Sequence, residues 1–140
     1  MFFRIRSIFL FALLALSGCT QLDTQSARIT GSVTYRERIA LPPSAVVKVH
    51  LVDVSRADAP ATVIGEQVIK AAGRQVPFAF EMAYDPKRIE ERFTYALQAR
   101  IEDEDGRLRF ISERHYPVLT RGAGQHIDLV LRAVAAPAPK

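Results

Sequence analysis

From Ile29 onward, apolar and polar side chains alternate along the chain. Ile29, Gly31, Val33 and Tyr35 share one parity and Thr30, Ser32, Thr34 and Arg36 the other. This is the two-residue period of a strand with one buried face. Arg36-Glu37-Arg38 and Leu41-Pro42-Pro43 end the run, because paired prolines donate nothing to a sheet ladder. Ala45 to Val54 is almost wholly apolar or β-branched, with Val47, Val49 and Leu51 on one face and Lys48 and His50 on the other, and it reads as a central strand. A polar turn over Ser55 to Pro60 precedes a strand-like stretch from Thr62 to Lys70, and a break at Gly73 precedes Val76 to Ala83, which puts Phe78, Phe80 and Met82 on one side as core candidates. Asp85-Pro86 opens one short helical turn ending by Arg92, since Asp is a good N-cap and Pro is preset for the first helical position. Thr94 to Asp103 sets Tyr95, Leu97, Ala99 and Ile101 against Thr94, Gln98, Arg100 and Glu102, and Asp105-Gly106 folds it into a hairpin with Leu108 and Phe110. Tyr116 to Leu119 is a short extended piece, and Gly122-Ala123-Gly124 leads to a last strand carrying Ile127, Leu129 and Leu131 on one face. Seven or eight strands at spacings of roughly 10 to 15 residues predict an all-β fold, an antiparallel β-sandwich of immunoglobulin or transthyretin-like architecture.

Ahead of this domain the period disappears. Arg4 and Arg6 are followed by an unbroken apolar run from Ile8 to Leu16, the layout of an export signal. Nine apolar residues make about 13 Å of helix, well short of the ~30 Å hydrocarbon core. The run ends in Leu16-Ser17-Gly18-Cys19, which resembles the lipobox of bacterial lipoproteins. The resemblance implies that Cys19 takes a diacylglyceryl group on its thiolate. It also implies that small Ser17 and Gly18 let the signal peptidase reach the bond before Cys19, whose freed amine then takes a further acyl chain. The expected organisation is a signal peptide over 1–18, a lipidated tether over 19–27, the β-domain over 28–132 and an Ala/Pro-rich flexible tail over 133–140. Thr20 follows the cysteine where lipoproteins retained in the inner membrane often carry Asp, so by that analogy the expected location is the outer membrane, with the domain facing the periplasm.

Composition sharpens this picture in two places. The chain of 140 residues holds a single cysteine, so an exported domain gains no internal disulfide and the cysteine needs another role. Lys and Arg outnumber Asp and Glu by 19 to 15, or 17 to 15 once Arg4 and Arg6 leave with the leader, a balance that gives no electrostatic case for nucleic acid.

Candidate chemistry is sparse. Glu102-Asp103-Glu104-Asp105-Gly106 has the charge of a calcium loop, but Arg107, Leu108 and Arg109 stand where further oxygen ligands would be needed, so it reads as a solvated turn. His50, His115 and His126 lack paired spacing, and no metal site or cofactor is expected. Ser44, Ser55 and Ser112 sit in no nucleophile motif. Arg107, Arg109, Arg114 and Arg121 form a possible basic patch for anionic lipid or peptidoglycan, but Glu113 and the acidic turn interleave with them and favour a mixed solvated face.

Three stretches carry a further resemblance: Gly31-Ser32-Val33-Thr34-Tyr35-Arg36; Ala40-Leu41-Pro42-Pro43-Ser44-Ala45 with Val49, Leu51, Asp53, Val54 and Ser55 after it; and Tyr116-Pro117-Val118-Leu119-Thr120. From about Ile29 to Arg132 the chain resembles the YbaY/YscW family of lipoproteins, and the Ala-Leu-Pro-Pro segment is nearer the YbaY-like branch. The resemblance implies a periplasm-facing β-sandwich. It also implies a possible role as a pilot that helps a secretin of type III secretion reach and assemble in the outer membrane. The expected function is therefore a non-enzymatic outer-membrane lipoprotein that binds or assembles another envelope component through its domain, with the membrane itself as partner through Cys19. The secretin pilot is the specific alternative. A small periplasmic enzyme or enzyme inhibitor is the alternative from another class, and it requires a polar cleft with convergent titratable groups.

Overall fold

The computed structural model describes residues 27–135. Each stretch of alternation is a strand in it: β1 (Ala27–Tyr35), β2 (Val46–Asp53), β3 (Thr62–Lys70), β4 (Phe78–Tyr84), β5 (Tyr95–Glu102), β6 (Leu108–Ser112), β7 (Tyr116–Val118) and β8 (His126–Ala133). The helical element is one 3-10 turn, Pro86–Arg88, capped by Asp85, whose carboxylate accepts from the Lys87 N–H at 2.9 Å. No helix among the described residues is long and apolar enough to cross a membrane.

The arrangement corrects the expected sandwich. All eight strands belong to one sheet in the order β3-β2-β5-β6-β8-β1-β4, with β7 on β5, and that sheet curls until its ends face each other as a nearly closed barrel. It is not wholly antiparallel either, because β1 runs parallel to β8, with Thr30 beside His126 and Tyr35 beside Leu131. One buried face per strand suits both a two-sheet sandwich and a sheet closed on itself, so alternation alone does not separate them.

Two seams in the barrel are spanned by side chains. Between β3 and β4, the inward-facing Gln67 accepts from the Glu81 N–H through Oε1 at 3.1 Å, which occupies an edge group a ladder would otherwise use. Between β7 and β8, the Tyr116 hydroxyl accepts from the Val130 N–H at 3.0 Å and donates to the Val130 carbonyl at 3.1 Å. Residues 113–115 divide β6 from β7, and one phenol bonds both backbone groups of Val130.

Inside, the predicted apolar faces converge. Val47, Val49 and Leu51, then Tyr95, Leu97 and Ile101, are fully or almost fully buried, as are Phe78, Phe80 and Met82. Tyr35 stacks on Phe110 with ring centroids 4.0 Å apart and donates its hydroxyl to the Ile39 carbonyl. Burial raises the Tyr35 phenol above its ordinary value, helped by the nearby Glu37 carboxylate and opposed by Arg109. The Leu41-Pro42-Pro43 loop is held by Gln75, whose amide accepts from the Leu41 N–H at 2.8 Å and donates to its carbonyl at 3.1 Å, so that Leu41 can bury its side chain.

Gly31 is the tightest point of the closure. It lies between Phe80 of β4 and Ile127 of β8. A Cβ there would overlap the Ile127 carbonyl oxygen, 2.7 Å from its carbon and 2.9 Å from Phe80 Cε1. The parallel pairing depends on a residue with no side chain.

Candidate functional site

The outer face of β3-β2-β5 is where the structure departs most from the strand alternation. Val52 lies on the solvent-side parity of β2 yet is 2% exposed, and Ala96 opposite it on β5 is equally covered. The loop from Val54 to Ala61 runs beside Val52, and its residues line one groove with it. Its base is pinned on both sides: Val54 N–H donates to the Thr94 carbonyl at 2.9 Å, Thr94 N–H donates to Ser55 Oγ at 2.9 Å, and Asp53 accepts from the Ser55 N–H at 2.9 Å. Loop and sheet together leave a groove of about 660 Å³, whose apolar lining comes from Val52, Val54, Val63, Ala57, Ala59 and Ala61.

A polar row crosses this face. His50 stands between Glu66 of β3 and Gln98 of β5; its Nε2 is 3.3 Å from Glu66 Oε1, and Gln98 Nε2 is 2.8 Å from His115 Nδ1. Two of the three histidines, 65 positions apart in the chain, thus meet at one groove. His126 lies elsewhere, against Thr30 Oγ1 at 3.0 Å, while Ser32 Oγ donates to Asp128 at 2.7 Å. These cross-strand contacts pin β8 onto β1 on an exposed surface.

The other candidate residues are dispersed. Arg107 and Arg109 pair with Asp105 and Asp103 in the hairpin turn, Arg114 lies over the Tyr116 ring at 4.8 Å, and Arg121 is bonded to Thr94 Oγ1 and the Arg92 carbonyl. The four do not form a patch. The acidic run closes the turn, with Gly106 N–H on the Asp103 carbonyl and Asp103 N–H on that of Arg107, but only its tip is solvated, since the Glu102 and Asp103 side chains are 11% and 17% exposed and paired with Lys48 and Arg109; no group of three or more metal-ligating side chains occurs among the described residues. Ser112 Oγ accepts from the Ala99 N–H, Ser55 serves the loop base, and Ser44 lines a shallow hollow beside Asp103 and Glu104. Cys19 and its flank Leu16, Ser17 and Gly18 lie outside the described residues, as do the leader and most of the tether.

Arg100, which lines the groove, is paired outside it with Glu102. Its carboxylate accepts from Lys48 Nζ at 2.7 Å and stands 3.5 Å from Arg100 Nη1. The Lys48 hydrogen bond, and then the charges of Lys48 and Arg100, hold its pKa below the ordinary carboxylate range against the opposing effect of burial. A depressed folded pKa stabilises the domain above the unfolded value, and that stabilisation is lost as pH falls through the folded one. Glu102→Gln should therefore cost about 1 kcal/mol at pH 7. The difference from wild type should shrink to nothing well below about pH 4, where wild-type Glu102 is itself protonated. Urea melts across this pH range test it, and a difference that persists in acid would assign the effect to packing.

The fold and groove define a small barrel-like β-module with a partly apolar external cleft. Its family follows from comparison: the model of the type III secretion system lipoprotein chaperone YscW matches residues 24–131, and the chain belongs to that family. It is 35% identical over 117 residues to the uncharacterized lipoprotein YbaY of Escherichia coli strain K12, covering 84% of this chain and 60% of that protein's length. In structure it is similar to an alternative pilotin from the type II secretion system of Vibrio cholerae, with a TM-score of 0.75 and 52% sequence identity over 79% of this chain and 98% of that one. The relatives are thus a family of lipoprotein chaperones, an uncharacterized lipoprotein and a pilotin.

Proposed function

We propose that this chain is a lipid-anchored pilot of a secretion system, which binds a secretin subunit in the periplasm and carries it to the outer membrane for assembly. The observation that carries the reading is the 52% identity to a type II pilotin across nearly the whole of that protein. At this identity the barrel, its seams and its outer groove are expected to be shared. In this reading residues 1–18 are the signal peptide, with Leu16, Ser17 and Gly18 presenting the cleavage site, and Cys19 carries the acyl chains. The groove beneath the 54–61 loop is the docking site for the secretin.

The test is a deletion strain scored for heat-resistant secretin multimers in the outer membrane. Multimers should fall to a small fraction of the wild-type level and return when the gene is supplied in trans. Normal multimer levels and normal secretin localisation in the deletion strain would overturn the pilot reading.

A further inference from the structure

A separate hollow of about 460 Å³ opens where β7 and β8 part, and it shares no residue with the groove. Three arginines meet there from distant parts of the chain: Arg36 just beyond β1, Arg114 in the break between β6 and β7, and Arg132 on β8. Two carboxylates stand among them, and both are engaged. Glu37 accepts from the Ala133 N–H at 2.9 Å and from the Arg36 N–H at 3.1 Å, and Glu113 pairs with Arg132. Arg36 and Arg114 are exposed and make no ion pair among the described residues. Arg114 lies over the Tyr116 ring at 4.8 Å, a contact that keeps its guanidinium beside the hollow.

Two guanidiniums without counter-charges therefore face a concave site. Each presents its N–H donors as a planar fork, which matches a carboxylate or a phosphate in two parallel bonds. Backbone contributes little, because the Tyr116 hydroxyl already takes the N–H and the carbonyl of Val130. Shape separates the sources of such an anion: a hollow admits a short, free-ended chain, whereas the plane of a membrane cannot enter it. Position agrees. The tether joins β1 at Ala27, and the strand runs about 26 Å to Tyr35 before Arg36 follows. The hollow thus lies at the far end of β1 from the proposed anchor. Its signs also alternate, and the exposed Glu113 beside Arg114 suits a ligand that carries an amine as well as carboxylates.

We propose that this hollow binds the short stem peptides of the cell wall, with Arg36 and Arg114 on their free carboxylates and Glu113 facing the amine of their diamino acid. The site is distinct from the secretin groove. It requires only that the domain face the periplasm, and it sets one end of the barrel against the wall while the lipid holds the other at the membrane.

Cosedimentation of the full mature chain with purified, protein-free sacculi tests the proposal, with soluble stem peptides released from those sacculi as competitor. Wild type should sediment with the sacculi, be displaced by the peptides, and bind about tenfold more weakly in high salt than in low. Arg36→Gln and Arg114→Gln should each weaken binding about tenfold. Arg36→Lys should weaken it less, because an ammonium keeps the charge but loses the fork. Arg56→Glu, in the groove, should leave it unchanged. Unchanged thermal melts exclude misfolding as the cause, and Arg36→Gln remains decisive if Arg114→Gln disturbs Tyr116. Vesicles of phosphatidylglycerol form the other arm: binding to them that needs Arg36, with none to sacculi, assigns the hollow to a lipid headgroup and overturns the proposal. Wild type that stays in the supernatant overturns it too, as does sacculus binding that ignores both arginines. No secretin enters the assay, so each of these failures leaves the pilot reading in place.

Discussion

Gly31→Ala should lower the melting temperature of the domain by about 10 °C or more, corresponding to a loss of about 3 kcal/mol. The direction is opposite to the usual one. In a strand, alanine for glycine ordinarily helps, because it removes about 0.4 to 1 kcal/mol of unfolded-state freedom. Here the added methyl would meet the Ile127 carbonyl oxygen of β8 and, at 2.9 Å, the edge of Phe80. A carbonyl in a paired strand has no rotamer to change, so β8 must move away from β1. That disturbs the parallel pair from Thr30 to Tyr35 and with it the burial of Leu129 and Leu131. Gly65→Ala is the control. Its Cβ would lie 3.3 Å from Met82 Sδ, the soft end of a flexible side chain, and 3.8 Å from Leu51 Cβ. A thioether can yield by a few tenths of an ångström, so the expected change is within about 1 kcal/mol. Thermal melts of both variants should separate by most of the predicted shift. Equal melting temperatures would mean that β8 accommodates the methyl and that the closure is looser than its geometry.

The same glycine shows where sequence reasoning reached and where it stopped. Side-chain parity identified the inward faces of β1, β2, β4 and β5 because burial on one face imposes a period of two whatever the neighbouring strands are. The Asp85-Pro86 turn and the Asp105-Gly106 hairpin were legible because their chemistry is local. Strand order is not local: Ser32 and Asp128 are 96 positions apart and hydrogen bonded, and nothing in either segment names the other. The one signal for the closure was a glycine inside an otherwise well-formed strand, which marks a close backbone approach without saying whose. The groove was hidden for a different reason. Val52 and Ala96 lie on the parity that alternation assigns to solvent, yet both are buried, and the groove forms where the 54–61 loop, held by Ser55 and Thr94, lies beside Val52. His50 and His115 likewise meet only through the pairing of β5 with β2 and β7.

Cys19→Ala should convert the protein from one recovered with membranes to one recovered almost wholly in the soluble periplasmic fraction. The proposed anchor is additive in its hydrocarbon. Each buried CH₂ contributes about 0.8 kcal/mol; a single acyl chain binds reversibly, and two or three hold firmly. Lipidation of this kind begins on the thiol, so one substitution removes every chain at once and leaves no intermediate affinity. The domain itself should be indifferent to the change. β1 begins at Ala27, eight positions beyond Cys19, and the groove at the 54–61 loop involves no residue before His50. The substituted protein should therefore keep its melting temperature and its affinity for the secretin in solution, yet fail to restore outer-membrane multimers in the deletion strain. That combination separates carriage from binding, because a pilot needs both and a simple holding chaperone needs only the second. Intact mass and fractionation of wild type beside Cys19→Ala are the measurements. An acyl mass increment on a chain starting at Cys19, lost with the substitution, establishes the anchor. If the Cys19→Ala protein stays with the membrane at its unmodified mass, attachment runs through a protein partner instead. If it restores multimers while soluble, the domain acts as a chaperone whose lipid is dispensable.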